Sequence, residues 1–123
     1  MRVTKYQHAC VVLNLNNQKI VIDPGNCTPT FGGFNDISAV VVTHIHPDHF
    51  HTEHLEKIIS HNPNVSIFTT EEVKQVFPEP NVVVVHDGNE HSVGSLTLHF
   101  TGCTHAIVHQ DWPTTVSNIG CTN

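Results

Sequence analysis

A chain of 123 residues, 38% hydrophobic and 13% charged, can build one hydrophobic core but not two packed domains, so residues 1–123 are read as a single domain. Five basic against eleven acidic residues give a formal charge of −6 with no Lys/Arg cluster, which argues against nucleic acid as a partner. No apolar run approaches the ~20 residues of a membrane helix, and residues 1–6 lack the apolar core of a secretion signal, so a cytoplasmic protein with no membrane partner is expected.

In chain order, residues 3–8 and 10–15 alternate loosely and predict two strands. Asn16-Asn17 follows as a turn whose residues tolerate φ > 0. Residues 19–22 form a short strand stopped by Asp23-Pro24-Gly25, and 26–36 read as a loop around Gly32-Gly33. The apolar run 40–43 predicts a strand buried on both faces. Thr52 is the expected N-cap of a helix with Leu55, Ile58 and Ile59 as its apolar stripe, ended at Asn62-Pro63. Residues 65–68 form the next strand. Thr69 with Glu72 fits a capping box that opens a short helix to about Phe77. Residues 82–86 and 96–101 are strands joined through the polar turn Asp87-Gly88-Asn89, and 111–123 show no clear period. This order predicts an α/β domain with a mixed sheet.

Cys10, Cys27, Cys103 and Cys121 form no CxxC pair and are read as reduced thiols. Twelve histidines are the compositional anomaly, since histidine is the commonest metal ligand. Four chemistry-bearing residues, His44, His46, Asp48 and His49, follow the buried strand directly. In extended backbone His44 and His46 point the same way, so both imidazoles can reach one ion. Pro47 forces a change of direction, after which Asp48 and His49 can serve a second ion. Two ions about 3.5–4 Å apart would activate a shared water. His51, His54, His61, His86, His91 and His99 are read as solvated, and His109 as a weak candidate.

The pattern His44-x-His46-x-Asp48-His49 after a hydrophobic strand resembles the signature of the metallo-β-lactamase superfamily. His8-Ala9, Ile22-Asp23-Pro24-Gly25 and the segment from Gly102 through His105 to His109 resemble its L-ascorbate-6-phosphate lactonase-like branch. The resemblance implies an αββα sandwich, of which this chain would supply half, a mixed sheet with helices on one face. It implies that His44, His46 and His105 hold a first metal ion, with Asp48 and His49 on a second. The ions would be zinc, one or two, with manganese, iron or nickel also suited to the donor set. Asp23 would orient a ligand imidazole by hydrogen bond, His8 would sit near the pocket, and Asp48 would position or deprotonate water.

The family's pattern continues with a bridging aspartate and a later histidine, whereas here no Asp follows Asp111 and no His follows His109. The chain therefore reads as a truncated domain. Its sheet is expected to expose an apolar inner face and to cover it with a second copy, as a homodimer or higher oligomer. The expected function is a metal-dependent hydrolase acting on a small-molecule ester, lactone, phosphodiester or amide. The alternative is a non-catalytic or weakly active, metal-binding, oligomeric remnant.

Overall fold

The structure, a computed structural model, describes residues 2–5, 10–15, 17–25 and 35–102, and the backbone of 120–122. Strands β1 (Arg2–Lys5), β2 (Val11–Leu15) and β3 (Gln18–Ile22) form an antiparallel meander. The β2–β3 turn closes at Asn17, whose φ of 63° lies in the left-handed region that asparagine tolerates. From β3 onwards the sheet turns parallel through β4 (Ala39–Val41), β5 (Ser66–Thr69) and β6 (Val82–Val84). The sheet order is β1-β2-β3-β4-β5-β6. Parallel neighbours need crossover segments. Helices α1 (Thr52–His61) and α2 (Glu71–Val76) lie in the β4–β5 and β5–β6 crossovers.

Register sorts the side chains by face. Val12, Val21, Val40, Ile67 and Val82 are paired in turn across five strands and make one continuous apolar row. That row packs with Leu55 and Ile58 of α1 and with Val73 and Phe77, as one core. Cys10 is fully buried in the same core. Val40, Val41 and Val42 are all 0% exposed, as a strand covered on both faces requires.

The opposite face carries Ile20, Ala39, Val41 and Phe68, and it is covered. Strands β7 (Glu90–Val93) and β8 (Leu96–Thr101) form a hairpin, and β9 (Gly120–Thr122) extends it into a three-stranded antiparallel sheet. Val93, Leu96, Leu98 and Phe100 of this second sheet pack against the first. The fold is thus α/β with a mixed sheet and helices on one face, but the other face is not left open at these positions. Self-association was expected to cover that face, and here the chain's own second sheet covers it. Gly94, at φ 59°, makes the β7–β8 turn, and a Cβ there would meet the Gln18 side chain at 2.5 Å.

Three local expectations shift. Thr52 is the first residue of α1 rather than its cap; His51 takes the cap position without a side-chain hydrogen bond. Thr69 is not a cap, because it completes the β5–β6 ladder opposite Val84 and donates its hydroxyl to the Val42 carbonyl at 2.9 Å. Thr70 caps α2 in its place. Strand β7 lies between the polar turn 87–89 and the strand expected at 96–101, where no element was expected, and β9 lies in the stretch without a period. Among the described residues no helix is long and apolar enough to cross a membrane.

Candidate metal centre

The candidate centre forms at the carboxyl ends of the parallel strands, where α/β sheets place ligand sites. Past β4, the Val42 N–H still donates to the Phe68 carbonyl at 3.0 Å, so Thr43 and His44 leave the sheet from a fixed position. The chain then folds back. The His46 carbonyl accepts from the N–H groups of His49 and Phe50, each at 2.9 Å, with Pro47 at the first corner of the turn, where its fixed φ is favoured.

This turn returns Asp48 to the two preceding histidines. One donor atom each from His44, His46 and Asp48 lies within 4.8 Å of the others. Two donors of one ion can be separated by at most twice the bond length, roughly 4.2 Å for nitrogen and oxygen on zinc. On a tetrahedral ion the donors would lie about 3.3–3.4 Å apart, so side-chain rotations of somewhat over an ångström would close the cage, and the donor types suit a divalent ion. The His44 and His46 rings meet edge to face with centroids 4.8 Å apart, and the His44 and His49 centroids are 4.0 Å apart. His49 Nε2 is 3.4 Å from Asp48 Oδ2, so the fourth residue of the motif adjoins the same group. His44 is buried, while His46, Asp48 and His49 are half-exposed and reachable by solvent.

Asp23 lies beneath the turn. Its N–H donates to the Val41 carbonyl at 2.9 Å, and its φ of 52° is left-handed, which aspartate adopts more readily than most residues. Its carboxylate is buried and accepts three hydrogen bonds, each 2.7 Å long. The donors are the Thr43 N–H, the Thr43 hydroxyl and His49 Nδ1. Gly25 completes the floor. A Cβ on it would lie 2.0 Å from both the carbonyl carbon and oxygen of Asp48 and 2.5 Å from the His49 nitrogen.

The Asp23 hydrogen bond, aided by the negative charges of Asp23 and Asp48, holds the His49 imidazole above the ordinary histidine range, against the opposing effect of burial. Its contribution to stability is thus fully present below the unfolded-state value of about 6.5 and is lost as pH rises through the raised folded value. In chelator-treated protein, the melting temperature is expected to fall over that interval. Asp23→Asn, with the hydrogen-bonding anion gone, should flatten the profile. Thermal melts from pH 5.5 to 8.5 check this.

His8, His105 and His109 lie outside the described residues. Of the histidines read as solvated, His54 is buried, and His51, His91 and His99 are half-buried. His54 is buried on the inner side of α1 with its ring against His51, centroids 4.8 Å apart. His91 is half-buried at the rim of the second sheet, 5.0 Å from the Phe68 ring. Thr43 and Gly25 were not singled out from sequence as parts of the site. Adjacency to the metal motif is the one local signal for the first, and a place in the Ile22-Asp23-Pro24-Gly25 motif is the signal for the second.

A family model described as a beta-lactamase superfamily domain matches residues 2–120. Protein Rv0786c of Mycobacterium tuberculosis is 29% identical over 113 residues, covering 92% of this chain and 53% of that protein. A protein of Parabacteroides distasonis classed as a metal-dependent hydrolase superposes with a TM-score of 0.77 at 16% identity, over 97% of this chain and 53% of its own. Isothiocyanate hydrolase from Delia radicum gut bacteria gives a TM-score of 0.67 at 22% identity, over 99% and 58%. The chain thus spans about half the length of these relatives. With the family match running almost end to end and the same fold in these structures, the chain belongs to the metallo-β-lactamase superfamily.

Proposed function

We propose that the chain carries the metal-binding half of a zinc-dependent hydrolase, with His44, His46 and His105 as ligands of a first ion and Asp48 and His49 serving a second. The observation that supports a metal centre most is the gathering of the His44, His46 and Asp48 donor atoms past β4, where Asp48 stands beside both the His44–His46 pair and His49. A bound ion supplies Lewis acidity and lowers the pKa of a coordinated water towards about 7. The protein's own part is to fix that water and the substrate. Asp48 would position the attacking water or take its proton. Asp23 holds the His49 ring through Nδ1. A small-molecule carbonyl or phosphoryl compound suits this arrangement. A lactone is the first bond class to test, because of the resemblance to the ascorbate-6-phosphate lactonase-like branch.

The test is multiple-turnover hydrolysis across ester, lactone, phosphodiester and amide substrates. Turnover should fall to background on chelation, return with zinc, and be absent in His46→Ala. Turnover indifferent to both chelator and His46→Ala contradicts the proposal. Metal binding without turnover on any of the four bond classes favours a non-catalytic metal-binding role instead.

A further inference from the structure

Thr43 sits between Asp23 and His44 in a chain of short hydrogen bonds. Its hydroxyl is 2.7 Å from Asp23 Oδ2 and 2.9 Å from His44 Nδ1. A hydroxyl has one proton to give, and a carboxylate can only accept. The Thr43 proton therefore belongs to Asp23, and the contact with His44 needs a proton from the ring. Nδ1 of His44 must carry it, so in the neutral ring Nε2 is the unprotonated nitrogen, the form a metal requires. The same carboxylate oxygen accepts His49 Nδ1 directly at 2.7 Å, which in the neutral ring has the same consequence for its Nε2.

We infer that Thr43 is a positioning residue that fixes the tautomer and ring orientation of His44, relaying to it the control that Asp23 exerts directly on His49. One buried carboxylate thereby sets two imidazoles, one through a hydroxyl and one by contact. This rests on the metal-site reading for its purpose, but the tautomers themselves are a property of the metal-free protein. A hydroxyl serving only to cap the strand would satisfy Asp23 equally well with either His44 tautomer.

The experiment is long-range ¹H–¹⁵N correlation on histidine-labelled, metal-free protein near pH 8, combined with zinc titration of wild type, Thr43→Ser and Thr43→Val. Circular dichroism checks that each variant is folded. In wild type and Thr43→Ser, His44 should show Nδ1–H and an unprotonated Nε2. In Thr43→Val, His44 should shift towards Nε2–H while His49 keeps Nδ1–H, and zinc affinity should fall about tenfold to a hundredfold, as for loss of other groups that orient ligands. Wild-type His44 protonated at Nε2 overturns the inference whatever the variants do. So does a Thr43→Val protein with unchanged tautomer and affinity. If wild type has the stated tautomers and Thr43→Val shifts His44, but zinc does not bind, the relay stands and the metal-site reading fails.

Discussion

Gly25→Ala is expected to disable the metal centre while leaving every candidate ligand in the sequence. The added methyl group would sit 2.0 Å from the Asp48 carbonyl carbon and oxygen, which are backbone atoms and cannot rotate away. Either the Asp23-Pro24-Gly25 segment or the Asp48–His49 peptide must move. The first is anchored by the Asp23 N–H on the Val41 carbonyl, and the second by the His49 N–H on the His46 carbonyl. Overpacking of this kind costs about 1–3 kcal/mol, and more where backbone must shift. Displacing Asp48 and His49 by about an ångström should also weaken metal binding and any turnover on the order of a hundredfold. Denaturant unfolding of the chelator-treated variant measures the first effect, and a metal titration the second. Wild-type affinity in Gly25→Ala would show that the turn does not depend on this approach.

Asp23→Ala should have the larger effect on folding. It removes the acceptor of three 2.7 Å hydrogen bonds at a 5% exposed position. Hydrogen bonds to a charged group contribute about 1.5–3 kcal/mol each, and the Thr43 N–H and hydroxyl would be left without this partner. Alanine also tolerates a φ of 52° less well than aspartate. A combined loss of about 3 kcal/mol or more is expected, a large share of the ~5–15 kcal/mol typical of a domain. Asp23→Asn keeps the size and one acceptor oxygen, so it should retain the fold and lose mainly the control of the histidines. Equilibrium unfolding of both variants separates these contributions. Equal losses in the two would point to charge alone as the stabilising element.

Part of this architecture is visible in the sequence because it depends on neighbouring residues. The all-apolar Val40–Val42 run marks a central strand, the Asn16-Asn17 pair marks the β2–β3 hairpin, and the Leu55/Ile58 spacing marks α1. His44, His46 and Asp48 are legible for the same reason, since alternation plus one proline suffices to converge them. What was not legible depends on partners far along the chain. The polar residues of β7 become a strand only because β8 pairs with them, leaving Val93 as the one apolar side chain they bury. Thr69 loses its capping role to a ladder formed with a strand 15 residues later, opposite Val84. Thr43 acquires its role from a carboxylate 20 residues earlier, and His49 from the same group 26 residues away. Gly25 matters only because another segment's backbone passes against it.

The central claim, that His44, His46 and Asp48 form a metal site, is tested most directly by metal content. The chain would be dialysed against zinc and then buffer, and metals counted per chain by plasma mass spectrometry, beside a His46→Ala/Asp48→Ala variant. One or two tightly held zinc ions in the wild type, lost in the variant, is the predicted result. Retention of zinc, iron, manganese or nickel at no more than the variant's level would contradict it.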